Sequence, residues 1–328
     1  MQAIKIKNLR KSFGTGWGKR VAVLKDLSLE IKENEIFGYL GANGAGKTTT
    51  FKLILGLIHP DQGEVSFWGR PASDFKSRSL LGYLPENPYF YSYLTAGESL
   101  DFYASLFDID AKTKKERIDE LLGLVGLEHA RDLQLRKFSR GMLQRVGIAQ
   151  ALINDPKLLI LDEPMSGLDP MGRKNMRDII LKCREQGKTI IFSTHIISDV
   201  ETVCDRASIL VKGELKQIID IEDILESEDN IWEIICQAKH FEIPQMLEKE
   251  KTEVSDKDAF IHDIDKTVSG NRILLTTSSK NTAYLLMDEV QKQNLNLISF
   301  GPRRKNLEEI YIKSTGQADQ KGQKESAR

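Results

Sequence analysis

A chain of 328 residues, 40% hydrophobic and 29% charged, has room for one large or two modest globular domains, each with a sizeable core. Its formal net charge of −1 excludes a global basic field that would recruit nucleic acid. Three widely spaced cysteines, Cys183, Cys204 and Cys236, argue against a disulfide framework and against a thiolate metal site, and so point to a reducing cytosol.

Residues 2–9 alternate with Ile4 and Ile6 on one face, and Val21 to Ile31 alternates again through Val23, Leu27 and Leu29. Both read as half-buried strands. The glycine-rich turn between them, Lys11 to Lys19, carries Phe13 and Trp17. Either ring has the surface to stack on a nucleobase; taken alone, the turn is more simply a packed hairpin tip.

Gly41 to Thr48 matches G-x-x-x-x-G-K-[ST], with a hydrophobic run Ile36–Leu40 before it and a helix-like stretch Thr50–Ile58 after it. Strand, glycine loop and helix N-terminus together form a phosphate cradle. Glycines 41, 44 and 46 let the backbone approach an anion, Lys47 reaches β- and γ-phosphates, and the Thr48 hydroxyl can ligate Mg²⁺. The chain is therefore expected to bind a nucleoside triphosphate. After a turn at His59–Gly63, strand alternation resumes at Glu64–Trp68, and Leu81–Glu86 brings a strand up to a carboxylate, Glu86. Open α/β sheets bind ligands at strand C-termini, which aims Glu86 at the nucleotide.

From about residue 88 to 155 the pattern becomes helical. Tyr89, Phe90, Tyr91, Tyr93, Phe102, Tyr103 and Phe107 crowd its start, and Ile118, Leu121, Leu122 and Val125 form a stripe. The aromatics are either core or a surface groove that grips a partner helix. Ser139 reads as the N-cap of the next helix, with Gly141 beside it, a second candidate anion site. Leu158–Leu161 is a buried strand that delivers Asp162, for Mg²⁺, and Glu163, for the attacking water. Ser166–Pro170 is a tight turn, a helix covers 173–186, and the buried strand Thr189–Thr194 ends on His195, aimed at a γ-phosphate.

With these residues assembled, residues 2 to about 220 closely resemble the ATP-binding subunit of an ABC transporter, in the branch serving two-component bacterial exporters. Gly41–Thr49 matches the Walker A motif and Leu158–Glu163 the Walker B motif with its catalytic glutamate. Ser166–Asp169 resembles the D-loop, His195 the switch histidine, Phe138–Met142 the signature and Phe13 the adenine-stacking aromatic. The resemblance implies a P-loop NTPase core with a helical subdomain. It implies that Phe13, Gly41, Asn43, Gly44, Ala45, Gly46, Lys47, Thr48, Thr49, Glu86, Ser139, Gly141, Asp162 and Asp169 bind ATP. Thr48, Glu86 and Asp162 would hold Mg²⁺, and Glu163, His195 and Lys47 would act in catalysis. It also implies a head-to-tail pair of such chains, each ATP held by one subunit's phosphate loop and the other's signature helix. The partner expected is a separate integral-membrane permease that exports a lipid-, drug- or polysaccharide-type substrate, with this chain cytoplasmic at the inner membrane face and no nucleic acid involved. The signature departs from Leu-Ser-Gly-Gly-Gln at Arg140 and Met142, and Glu86 replaces the usual glutamine with a carboxylate that can ligate Mg²⁺ through oxygen but donates no amide hydrogen bond.

The N-terminus shows no signal-peptide core and no apolar stretch is long enough to span a bilayer, so membrane work is expected to pass through the permease. The domain reading is 1–220 for the nucleotide-binding core, a linker at 221–230, an accessory α+β domain at 231–315 and a disordered tail at 316–328. Strands are expected at Ile231–Cys236, Arg272–Thr277 and Leu295–Phe300, and helices at Thr282–Gln293 and Asn306–Lys313. This domain suits dimerisation or regulation better than catalysis. Non-transport relatives that work on DNA carry a long heptad coiled coil, and ribosome-associated ones generally carry two cassettes; neither feature is legible here. A nucleotide kinase with the same phosphate loop leaves the Ser139–Gly141 helix and His195 unexplained.

Overall fold

The computed structural model describes residues 1–14, 18, 20–226, 228–238, 241–243, 264–304 and 306–315. The Trp17 reading and the polar tail at 316–328 lie outside the described residues. The chain divides into two compact units, Met1–Ile221 with the chain from Ile310, and Glu222–Glu309.

The first unit opens with β1 (Gln2–Gly14) and β2 (Arg20–Lys32), paired antiparallel. Ile4, Ile6 and Leu9 of β1 and Leu24, Leu27, Leu29 and Ile31 of β2 are buried. Strict alternation would turn Leu9 outward. A register shift between Ile6 and Leu9, with Asn8 at φ 47°, returns it to the core. β3 (Ile36–Gly41) is buried along its whole length and leads to α1 (Lys47–Ile54). That helix ends short of the expected Ile58, because Gly56 at φ 69° turns the chain. β4 (Gln62–Phe67) pairs with β1, followed by β5 (Arg70–Pro71), α2 (Phe75–Arg78) and β6 (Leu81–Leu84).

The helical insertion holds α3 (Ala96–Ala104), α4 (Ala111–Leu124) and α5 (Arg140–Ala151). Each starts at a side-chain cap: Thr95 in a reciprocal capping box with Glu98, then Asp110, then Ser139. The Ile118–Leu121–Leu122–Val125 stripe is buried. Of the crowded aromatics only Phe90 is fully buried; Tyr89 is 81% and Tyr93 63% exposed, so most of them form a surface rather than a core.

β7 (Leu158–Leu161), α6 (Pro170–Glu185), β8 (Thr189–Thr194), α7 (Ile197–Val203), β9 (Arg206–Val211) and β10 (Glu214–Asp220) complete the unit. The six-stranded sheet has the order β10-β9-β3-β8-β7-β6, parallel throughout except for β10. The ends of β3, β6, β7 and β8 therefore open on one edge. A four-stranded antiparallel sheet, β2-β1-β4-β5, packs its apolar face into the same core as Phe37, Tyr39 and Phe51.

The stretch read as a linker, 221–230, begins where the two units divide and carries regular structure. Ile221–Glu226 is helix α8, and β11 (Glu228–Gln237) starts two residues later. The acidic composition suggested a linker, but Ile221 and Ile224 share one helical face and both are buried. The second unit continues with β12 (Ile264–Ser269), β13 (Arg272–Thr277), α9 (Lys280–Lys292) and β14 (Asn296–Arg304), in an antiparallel sheet of order β12-β13-β11-β14. Ala283, Leu286 and Val290 of α9 close its core on Ile234, Cys236, Ile273 and Leu275. β12 carries no apolar alternation and is exposed at 266–269; it is an edge strand held by backbone pairing to β13. Residues 307–315 are helical.

Gly82 of β6 lies under the last turn of α5, where an added Cβ would collide with the Ala151 carbonyl oxygen and crowd Leu159 and Pro156. Gly82→Ala is expected to destabilise the first unit by about 1–3 kcal/mol, as overpacking does. Thermal unfolding checks it, at roughly 2–4 °C per kcal/mol for a unit of this size. An unchanged midpoint would show that α5 can move off the sheet freely.

Candidate functional site

A cavity of about 540 Å³ opens at that sheet edge. It is lined by Asn43, Gly44, Gly46, Lys47, Thr48 and Thr49 from the glycine loop and α1, and by Glu86, Glu163, Ser166, His195 and Val23. The loop takes its shape from backbone freedom. Gly44 and Gly46 sit at φ 78° and 113°, and at Gly46 a Cβ would meet Leu24 Cδ2 at 2.8 Å. No side chain caps α1, so its first-turn N–H groups stay available to an anion. Beneath the loop, Thr50 Oγ1 donates to the Gly46 carbonyl at 3.0 Å and lies 3.1 Å from the Tyr39 hydroxyl, which fixes the cradle from the core side.

Lys47 is 6% exposed, and its ammonium donates to the Gly41 carbonyl at 2.7 Å and the Ala42 carbonyl at 3.3 Å. It also pairs with Glu163 Oε1 at 2.9 Å. The other oxygen of the same carboxylate, Oε2, lies 2.9 Å from His195 Nδ1. Glu163 thus bridges the lysine of one strand–helix junction and the imidazole at the end of another strand. Its backbone is left-handed at φ 49°, a conformation that costs a glutamate roughly 1–2 kcal/mol. Ser193 Oγ accepts its N–H at 2.9 Å, and its carbonyl accepts Ser166 N–H at 3.0 Å, which holds the turn.

Asp162 lies just below, 1% exposed, and Oδ1 accepts from the Ser193 hydroxyl at 2.6 Å. Neighbouring Tyr83 is pushed up to about 12, by burial first and then by the Asp162 charge, so it remains a neutral phenol. Glu86 is fixed through its backbone: Gln144 Nε2 of α5 donates to its carbonyl at 2.8 Å. Among the described residues no cluster of three or more His, Cys, Asp or Glu groups could enclose a metal by itself. The donors on hand, the Thr48 hydroxyl with the Asp162 and Glu86 carboxylates, are all oxygen and fit a hard cation that completes its shell with phosphate and water.

The structure brings together nine of the expected site residues around the cavity: Asn43, Gly44, Gly46, Lys47, Thr48, Thr49, Glu86, Glu163 and His195. Gly41, Ala45 and Asp162 are buried next to it. Four lie outside its lining. Phe13 is exposed near the end of β1, with the Lys11 ammonium 5.4 Å from its ring centroid. Ser139 and Gly141 stand at the start of α5, where Ser139 Oγ accepts Met142 N–H at 3.3 Å. Asp169 caps α6 by accepting Gly172 N–H at 2.8 Å. Sequence reasoning missed Val23 and Ser193, and placed Ser166 in the D-loop turn without assigning it to the cavity. Ser193 had a signal, a hydroxyl on a buried strand two residues before His195 and beside the carboxylates of a parallel neighbour.

The sequence pattern of the ABC transporter family matches residues 24–166. An uncharacterised ABC transporter ATP-binding protein of Nostoc sp. is 50% identical over 240 residues, covering 72% of this chain and 71% of that protein. The bacitracin transport ATP-binding protein of Bacillus licheniformis is 38% identical over 252 residues, covering 73% of this chain and 80% of that protein. Among solved structures, a dimeric ATP-binding cassette with bound ADP and phosphate superposes with a TM-score of 0.61 at 27% identity, over 66% of this chain and 98% of that one. The fold is thus that of a P-loop ABC ATPase. The chain belongs to the ABC transporter ATP-binding proteins: it binds and hydrolyses ATP as the ATP-binding subunit of a transporter.

Ser193 is the hinge-pin of the carboxylate pair, so Ser193→Ala leaves a buried N–H and a buried carboxylate oxygen without that partner. The expected cost is about 1–3 kcal/mol per orphaned group. Denaturant unfolding of the variant should show it as a lower midpoint at an unchanged m-value. An undiminished midpoint would mean that neither group depends on Ser193.

Proposed function

We propose that this chain powers export through a separate integral-membrane permease, working as a head-to-tail pair at the inner face of the cell membrane. The carrying observation is the convergence of Lys47, Glu163 and His195 on one cavity over a glycine-rich helix N-terminus. A triphosphate entering this cradle exchanges Glu163 for phosphate oxygens at the Lys47 ammonium, which frees a carboxylate to accept a proton from water. His195, paired with the same carboxylate, orients it and faces the γ-phosphate. Thr48, Asp162 and Glu86 would hold Mg²⁺, which when bound neutralises developing charge on the phosphates. Phe13 would supply a stacking face for adenine, beside Val23.

Export is supported by likeness to a bacitracin transport protein, with a drug, lipid or polysaccharide as the substrate class. The paired state is supported by the dimeric cassette it resembles, and by the position of Ser139 and Gly141 outside the lining of their own subunit's cavity. The permease reading is supported by the aromatic surface of the helical insertion. Tyr91 lies 5.8 Å from Phe102 edge-on and 5.9 Å from Tyr93 between ring centroids, a continuous face suited to a partner helix. Among the described residues no helix is long and apolar enough to cross a membrane.

Two experiments test this. Glu163→Gln should keep ATP binding and lose about 10²- to 10⁴-fold in turnover, since the amide accepts no proton; wild-type-like hydrolysis would falsify the base assignment. For the pair, Ser139→Arg should spare ATP binding yet block hydrolysis, and mixing it with Lys47→Ala should restore some. In the mixed dimer one composite site carries both lesions and the other carries neither. ATP binding by monomeric Ser139→Arg as weak as that of Lys47→Ala would put the serine in its own subunit's site instead.

A further inference from the structure

One buried charge near the site plays no part in the chemistry above. Asp199 lies in the first turn of α7, four residues after His195, and is fully buried. Neither of its carboxylate oxygens makes a hydrogen bond. Two guanidiniums of α6 face it without closing on it: Arg177 Nη2 at 3.6 Å from Oδ1, and Arg173 Nη1 at 4.0 Å from Oδ2. The Arg177 Nε is likewise buried and unpartnered. Elsewhere in the chain a buried pair of the same kind is tight. Arg206 Nη1 meets both oxygens of Glu35 at 3.1 and 3.2 Å.

A carboxylate taken out of water with no hydrogen bond keeps its desolvation cost and recovers only part of it from charges several ångströms away. Burial accordingly pushes the Asp199 carboxyl up. The two arginines and His195 oppose that shift, and Glu163 adds to it. Such a pair is not at its minimum. A shift of α6 by about 1 Å would bring its guanidiniums to the 2.7–2.9 Å of charge-assisted hydrogen bonds. Both arginines stand on α6. That helix begins at its Asp169 cap, and the short turn before it starts at Glu163, so the helix is tethered to the residue that pairs with His195.

We propose that Asp199 is a positioning residue for ATP hydrolysis: a loose electrostatic tie between α6 and the His195 segment, which tightens when the loop at 163–169 is engaged and thereby sets the Glu163–His195 pair. The tie rests on the reading of Glu163 and His195 given above. A structural brace and a tie of this kind predict opposite behaviour on neutralisation. Arg173 and Arg177 are 25% and 27% exposed at their side chains and can be solvated without Asp199. Removing the charge should therefore not harm the fold.

The test is Asp199→Asn in the full chain, with steady-state ATP hydrolysis and thermal unfolding measured side by side, Asp199→Glu as the conservative variant and Glu163→Gln as control. The expected result is a roughly 5- to 20-fold lower kcat at an ATP KM within about twofold, the size of an ordinary coupling effect. The unfolding midpoint should be unchanged or higher, and Asp199→Glu should recover part of kcat. Unchanged kcat in Asp199→Asn, or kcat and midpoint falling together, overturns the tie. With Glu163→Gln silent, that outcome removes the tie alone. Hydrolysis persisting in Glu163→Gln removes the site reading, and the tie with it.

Discussion

The parallel alignment of β3, β8, β7 and β6 is the constraint on which the rest of this structure depends. Because these strands run the same way, their C-terminal ends release the glycine loop, His195, the Asp162–Glu163 pair and the approach to Glu86 on a single sheet edge. Reverse any one strand and its functional side chain leaves the cavity for the opposite edge. The apolar character of these strands is therefore a condition for function. Ile36–Gly41, Leu158–Leu161 and Thr189–Thr194 are buried throughout, so they tolerate neither a register slip nor an outward face.

At that edge the main physical difficulty is charge. Lys47, Asp162 and Glu163 are all under a tenth exposed, where an unpaired ion would cost several kcal/mol. Each is answered in a different way. Lys47 has two backbone carbonyls and Glu163, Glu163 has Lys47 and His195, and Asp162 has the Ser193 hydroxyl. Two backbone carbonyls hold the Lys47 ammonium independently of its carboxylate partner. The cradle is thus organised without an anion in it.

The sequence made some of this legible and hid other parts for physical reasons. The loop Gly41–Thr48, the carboxylates after Leu158–Leu161 and His195 could be read because each follows a continuous apolar run, and such a run has one reading in an open α/β sheet. Ser193, Val23 and Asp199 lie inside elements, where a serine, a valine or an acid has many ordinary explanations, and only the neighbouring strand or helix gives them a role. The helix at Ile221–Glu226 was obscured by its acidic composition, since burial of Ile221 and Ile224 outweighs the exposed acids Glu222 and Asp223 between them. β12 was hidden because an edge strand can be held by backbone bonds alone, and those leave no mark on side-chain pattern.

The signature segment shows how a departure from a family pattern acquires a physical reading once its neighbours are known. An arginine in the first turn of a helix is set against the helix dipole, so Arg140 gains nothing from α5 itself. Its guanidinium instead lies over Gly167, where an added Cβ would sit 2.6 Å from Cζ and where φ is 68°. Gly141 in turn faces Leu168, whose Cδ2 would be 3.7 Å from a Cβ there. The start of α5 and the loop after Glu163 are thus packed on each other within one chain, and the bare backbone of Gly167 is what admits the larger residue. Arg140 and Gly167 are a matched pair: a side chain at 167 would displace the guanidinium, and a glycine at 140 would leave the loop without its cover. An arginine that reads in the sequence as a loss at the signature therefore makes a contact within its own subunit, over the exposed backbone of Gly167 in the segment that joins Glu163 to α6.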